Sequence, residues 1–249
     1  MPMYDRLYFV AAMTLGDNFV YSGVAHHYAD RSQELHIPVE TKFFKTMQCL
    51  YQDYPNIKLF SSLAPSQEEE YIQKNQLARI TMCEIFFADI NGVRISPLWD
   101  EQVYTHFELP FSLRYVNFRL PKHIEGSEEL YQQLSGGEPY VLVHRYTGLH
   151  PDGMPIDIPG FRTAHGLPDI KIIEIKEGIT DNMLQYATLI ERAQEIHCAP
   201  SSFFCLVDSM FNRTRALLFY HDIRANTIMR INNDWNNRVW NIVRYTNKL

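Results

Sequence analysis

Leu7-Tyr8-Phe9-Val10-Ala11-Ala12-Met13-Thr14-Leu15-Gly16-Asp17-Asn18 is the stretch that decides the fold. Its first seven residues form a near-continuous apolar run, as expected of a parallel strand covered on both faces. The run is too short to cross a membrane and has no cleavage-site pattern. The turn after it opens a helix with Phe19, Val20, Gly23, Val24 and His27 on one side. A glycine in such a turn lets backbone approach a ligand. An acid just beyond the carboxyl end of a strand stands where open α/β sheets bind their ligands.

Outward from this stretch the periodicity alternates between strand and helix. Residues 34–39 and 56–60 predict two more strands, with a helix carrying Phe43, Phe44, Met47, Leu50 and Tyr51 between them. Ser66-Gln67-Glu68-Glu69 has the pattern of a capping box, and residues 79–85 predict a fourth strand. The β-α-β-α-β order implies a parallel sheet with helices on its faces. Residues 91–122 are less regular but rich in aromatics, which predicts a packed segment. Residues 127–134 predict a helix stopped by Ser135-Gly136-Gly137. A second α/β unit follows from Pro139, with strands at 140–144, 169–175, 195–199 and 216–220. Its helices are expected at 180–195, from Ser201, and at 233–244, with a long Pro- and Gly-rich loop at 148–168. The expected fold is α/β, with two small Rossmann-like domains at residues 1–122 and 123–249.

Composition narrows the function. Hydrophobic residues make up 46% of the 249, enough for a sizeable core. The net charge of -6 argues against a general nucleic-acid binder. The four cysteines form no CxxC pair, which suits reduced thiols and a soluble, cytoplasmic protein. There is no Walker-type loop and no GxGxxG.

Four constellations carry possible chemistry. Asp17 can take a proton from a hydroxyl nucleophile, or it can cap the next helix. The stretch Glu195-Ile196-His197-Cys198-Ala199-Pro200-Ser201-Ser202-Phe203 reads as strand, turn and helix start. Its free N–H groups with Ser201 and Ser202 suit a phosphate, or the serines are simple caps and His197 a core residue. At His144-Arg145 the guanidinium suits a diphosphate or an ordinary ion pair. Pro168-Asp169 with Glu174-Ile175-Lys176 resembles the PD-(D/E)xK signature of metal-dependent nucleases, although Asp169 falls on the same strand as the other two. Glu174 can alternatively line a nucleotide pocket. The histidines are scattered and no Asp-x-Asp triplet occurs, so neither metal nor cofactor is expected.

Leu15-Gly16-Asp17-Asn18-Phe19 resembles the Gly-Asp turn of heptosyltransferase-like glycosyltransferases of the two-Rossmann, GT-B type. Residues 195–208 are similar to the donor-phosphate turn of glycosyltransferase domains encoded by large algal DNA viruses, some of them rhamnosyltransferases. The resemblance implies two halves facing a cleft and a metal-independent, inverting transfer of a sugar, with L-rhamnose as the viral domains' candidate, to a glycan hydroxyl. It implies Asp17 as base and Asn18 as acceptor contact. Gly16, His144, Arg145, Glu174, His197, Ser201 and Ser202 are the implied contacts to a UDP-sugar or GDP-sugar donor. Adjoining domains of a larger protein are compatible with it; nucleic acid and membrane insertion are not expected. The sequence departs from the family in having Pro200-Ser201-Ser202 where heptosyltransferases have a Gly-rich turn with Thr. The rival readings are the nuclease and a non-catalytic nucleotide- or carbohydrate-binding module.

Overall fold

A computed structural model describes residues 4–10, 14–80, 88–90, 93–95, 99–146, 156–222, 232–233 and 238–244. Residues 81–85 of the strand expected over 79–85, and residues 148–155 of the loop expected over 148–168, lie outside the described residues. The chain divides into two compact units, Met1–Ile124 and Glu125–Leu249.

The first unit runs β1 (Tyr4–Phe9), α1 (Leu15–Ala29), β2 (Ser32–Val39), α2 (Phe44–Leu50), β3 (Ile57–Ser61), α3 (Pro65–Asn75) and β4 (Ala78–Ile80). A short antiparallel hairpin of β5 (Ala88–Ile90) and β6 (Val93–Ile95) precedes α4 (Trp99–His106) and α5 (Leu113–Val116). The main sheet has the order β3-β2-β1-β4 and is parallel throughout. β1 sits inside it, and Leu7, Tyr8 and Phe9 are buried as their apolar run requires. The chain leaves β1 toward β2 and returns on the opposite side as β4, so a topological switch point lies between β1 and β4. α3 begins two residues earlier than its Ser66 pattern suggests: Ala64 is its N-cap, Pro65 is its first residue, and Gln67 reaches back to accept from the Ala64 N–H at 3.3 Å.

Residues 99–122 are packed against α1. Gly23 makes this possible, because a Cβ there would lie 2.5 Å from both Leu113 O and the Tyr104 hydroxyl. The contact is stitched by Tyr104, which donates to Val20 O at 2.7 Å, and by His26 Nδ1, 2.8 Å from Asn117 O. Beside it Arg114 and Asp100 form an ion pair with no exposed side-chain surface.

The second unit runs α6 (Ser127–Ser135), β7 (Tyr140–His144), α7 (Ile158–Ala164), β8 (Lys171–Glu174), α8 (Ala187–Arg192), β9 (Glu195–Cys198), α9 (Ser202–Ser209) and β10 (Leu217–Asp222). It ends in a short antiparallel pair, β11 (Asn232–Asn233) and β12 (Arg238–Val239), and then β13 (Asn241–Arg244). Its sheet, β13-β10-β9-β7-β8, is also wholly parallel. The switch point lies between β9, the central strand, and its neighbour β7, and the residues of both are almost all buried.

Three expectations are corrected. The tail over 241–244 is a strand and not a helix, because it pairs with β10 and is anchored by Trp240. The Trp240 Nε1–H donates to Asp208 Oδ1 at 2.9 Å, and its ring packs 4.9 Å from that of Phe204. Residues 158–164 of the expected loop are helical, started by Asp157, whose side chain accepts from Gly160 N at 3.0 Å, with Pro159 in the first turn. The helix expected over 180–195 is shorter, a 3-10 turn (Met183–Tyr186) continued by α8. Among the described residues no helix is long and apolar enough to cross a membrane.

Gly23→Ala should destabilise the protein by about 1–3 kcal/mol through overpacking. In an unobstructed helix the same change stabilises by up to about 1 kcal/mol. The sign of the change in urea-unfolding free energy therefore tests the α1–α5 contact directly.

Candidate active site

In the first unit the site residues lie on the first turn of α1, which follows β1 at the switch point. Thr14 is the N-cap, extended at φ -118° and ψ 161°. Its hydroxyl donates to Asp17 Oδ2 at 2.7 Å and its N–H donates to the same oxygen at 3.0 Å, while the Asp17 N–H donates to Thr14 Oγ1 at 3.3 Å. This is a reciprocal capping box with an aspartate in the position usually held by Glu or Gln. Asp17 is thus the third residue of the helix and not its N-cap. Burial pushes its carboxyl above the ordinary range, and the two Thr14 hydrogen bonds oppose that rise. Gly16 lies buried in regular helix. Asn18 is 3% exposed; its Nδ2 donates to Thr14 O at 2.8 Å and its Oδ1 is buried without a hydrogen-bond partner among the described residues.

In the second unit the parallel strands bring their carboxyl ends to one edge, and two clusters form there. The first joins β7 to the start of α9. Ser201 caps α9 by accepting from Phe204 N at 3.2 Å, and its Oγ is 3.1 Å from His144 Nδ1. The His144 ring stacks on Phe203 at 5.2 Å, and burial holds its pKa down at about 4. Ser202 is the first residue of α9, half-buried beside this cap. The helix start thus carries the serine cap expected there, and it stands at the β7/β9 switch point.

The second cluster centres on Glu174 at the end of β8. Its Oε1 accepts from the Tyr146 hydroxyl at 3.0 Å and lies 2.7 Å from Arg145 Nε, and its Oε2 is 3.2 Å from Lys176 Nζ. The Arg145 contact is an ion pair, and its Nε–H makes no hydrogen bond among the described residues. Arg145 also donates to Ile156 O at 3.1 Å. Burial would raise the Glu174 carboxyl, but the Tyr146 and Lys176 hydrogen bonds and the Arg145 charge outweigh it and hold it below its ordinary value. The ion-pair reading of Arg145 is therefore realised, with both side chains about one quarter exposed at 25% and 24%.

His197 stands apart from both clusters. It is 0% exposed and stacks on Phe219 at 4.5 Å. Its Nδ1 is 2.9 Å from His221 Nε2, and its Nε2 is 3.4 Å from Glu195 Oε2. Glu195 in turn is paired with Arg162 of α7, which also donates from Nε to Pro168 O at 3.2 Å. Arg162 of α7, Glu195 and His197 of β9 and His221 of β10 thus form a buried chain. Burial depresses both imidazoles to a pKa of about 3, aided at His197 by the Arg162 charge and at His221 by His197 and Arg145.

The nuclease signature does not assemble. Asp169 is exposed ahead of β8 and Glu174 closes it, so the length of the strand, about 10 Å, lies between them. Among the described residues no group of three or more His, Cys, Asp or Glu side chains is placed to hold a metal ion. The sequence reading missed Thr14, Tyr146, Arg162 and His221. The first was available in the Thr14-x-x-Asp17 spacing; the others become neighbours only through the tertiary fold.

The architecture has a known counterpart. Over 98% of this chain and 85% of the other, it is similar to the crystal structure of a glycosyl transferase family 9 protein from Veillonella parvula DSM 2008, with a TM-score of 0.56 at 9% identity. The fold is GT-B-like. At that identity the likeness concerns the fold alone. No family model and no curated protein matches the sequence.

The buried imidazoles have a consequence for stability. In the unfolded chain they titrate near the ordinary value of 6.5, so below that pH the unfolded state binds protons that the folded state refuses. Stability is full above about pH 6.5 and falls as the pH drops toward about 3, by up to about 1.4 kcal/mol per pH unit for each histidine. Urea midpoints at pH 7.5 and 5.0 should show the loss, with a shallower fall in His221→Asn; equal slopes would contradict the neutral buried pair.

Proposed function

We propose that the protein is an inverting glycosyltransferase that moves a sugar from a nucleotide-sugar donor, a UDP-sugar foremost and a GDP-sugar as the alternative, to a hydroxyl of a glycan. The observation that carries this reading is the position of Asp17. It stands on the first helical turn after β1, at the switch point of a Rossmann-like sheet, in a chain whose fold is similar to that of a family 9 glycosyl transferase. Capping leaves this role open, since one carboxylate oxygen satisfies both Thr14 donors and the other takes no hydrogen bond from the described residues.

In this reading the first unit supplies the base and the second holds the donor. The acceptor hydroxyl gives its proton to Asp17 as its oxygen attacks the anomeric carbon. The bond from that carbon to the diphosphate breaks on the opposite face, and the electron pair leaves with the diphosphate, so the configuration inverts. Asn18 contacts the acceptor beside Asp17, and Gly16 lets the turn approach the substrates closely. The charge of the leaving diphosphate is met by the N–H groups at the start of α9, by Ser201 and Ser202, and by Arg145, for which the donor competes with Glu174. No metal is assigned a role, in keeping with a sequence that lacks an Asp-x-Asp triplet. His144, held neutral, contributes hydrogen bonding without charge, and His197 supports the strand beneath the phosphate turn. An L-rhamnosyl donor is the specific candidate from the family resemblance.

A thermal-shift screen of UDP- and GDP-sugars in EDTA should show stabilisation by at least one of them. With that donor, Asp17→Asn should lower transfer by roughly a hundred- to ten-thousand-fold while leaving the donor-induced shift intact. Turnover preserved in Asp17→Asn would remove the base assignment, and a shift without any release of nucleotide would favour a binding module.

A further inference from the structure

The capping box at the start of α1 does more than finish a helix. A side chain that merely caps needs one contact back to the N-cap N–H, and Glu or Gln usually makes it. Here the shorter aspartate brings two Thr14 donors, Oγ1 at 2.7 Å and N at 3.0 Å, onto the single oxygen Oδ2. That pins the rotation of the carboxylate and leaves Oδ1 without a hydrogen bond from the described residues. It also offsets charge: burial favours the protonated acid, and the Thr14 bonds favour the ionised form that a base needs.

Thr14 governs the next residue as well. Its carbonyl takes the Asn18 Nδ2–H at 2.8 Å, which fixes the amide so that Oδ1 is the atom left over, enclosed and without a donor. Two side-chain acceptors on one helical turn, Asp17 Oδ1 and Asn18 Oδ1, therefore lack donors. Their complement is an uncharged ligand rich in hydroxyls, since an anion would be repelled by the carboxylate and would give Asn18 nothing to accept.

We infer that Thr14 is the positioning residue of the base. It holds Asp17 ionised through Oδ2, turns Oδ1 toward the hydroxyl to be deprotonated, and sets Asn18 to accept from a second hydroxyl of a neutral polyol acceptor. This rests on the reading of Asp17 as base, and the two are tested separately. The titration of Asp17 is followed by carbonyl ¹³C NMR of protein labelled at aspartate, assigned with Asp17→Asn; it requires no substrate. Thr14→Val removes the hydroxyl donor and should shift the Asp17 titration upward, while Thr14→Ser should restore it. Because Thr14→Val also loses the helix cap, Thr14→Gly is the companion variant: glycine is tolerated at an N-cap, supplies no side-chain donor and no new charge, and should shift the titration upward too. With the donor found by the thermal-shift screen, Thr14→Val should lower kcat roughly ten-fold near neutral pH and move the acid limb of its pH profile upward, with the donor KM unchanged. An Asp17 titration that stays at its wild-type position in both Thr14→Val and Thr14→Gly overturns the inference about Thr14, even with Asp17→Asn inactive. Full turnover in Asp17→Asn overturns the base reading itself.

Discussion

Parallel pairing of neighbouring strands is the constraint on which the rest depends. β7 meets β9 in a register that sets Val141 against Glu195 and His144 against Cys198. Because every strand of that sheet runs the same way, whatever polar residue ends a strand is delivered to one edge. Ser201 and His144 touch there although 57 positions separate them. A parallel pair cannot be closed by a tight turn, so the chain must travel a dozen residues or more between strands. That obligation generates α7 and α8 around the second sheet and α1 and α2 around the first. It also leaves a helix start just past each central strand, where N–H groups are unpaired.

Among the described residues an Arg–carboxylate ion pair is enclosed in each unit, and each of the two fastens a less regular segment to regular structure. Arg114 with Asp100 joins α5 to α4 against α1. Arg162 with Glu195 joins α7 to the second sheet. Such pairs add little net stability over apolar packing, since both charges must be dehydrated, yet loss of either partner strands the other. They act here as registry marks: the segment fits in one position or leaves a bare charge in the core.

Much of this was legible in residue order. The apolar run at 7–13, the 3–4 spacing of 43–51 and the Gly136 stop were strong local signals, and the α/β architecture follows from their alternation. The tail was misread because a strand whose partner is the distant β10 has no local signature to distinguish it from a helix of similar composition. Residues 158–164 were read as loop because Pro159 and Gly160 look like breakers, whereas Asp157 and Pro159 together make a helix start. At the α1 turn the Asp17 alternatives of base and cap are not exclusive, because one carboxylate has two oxygens. His197 illustrates what a linear reading cannot supply: its neighbours Arg162, Glu195 and His221 come from one helix and two strands.

The hydroxyl of Ser201 has one proton and three neighbours. Phe204 N donates into its oxygen, Ala199 O accepts from it at 3.0 Å, and His144 Nδ1 stands 3.1 Å away. With the proton committed to Ala199 O, the third contact is satisfied by an imidazole protonated at Nδ1. A single serine therefore selects the tautomer of a histidine on another strand. In that form Nε2 carries a bare lone pair, and with a pKa near 4 the ring stays uncharged at neutral pH. The switch point of the second sheet thus sets the donors of the helix start beside an imidazole acceptor, an asymmetry able to tell which way round an adjoining polar group lies.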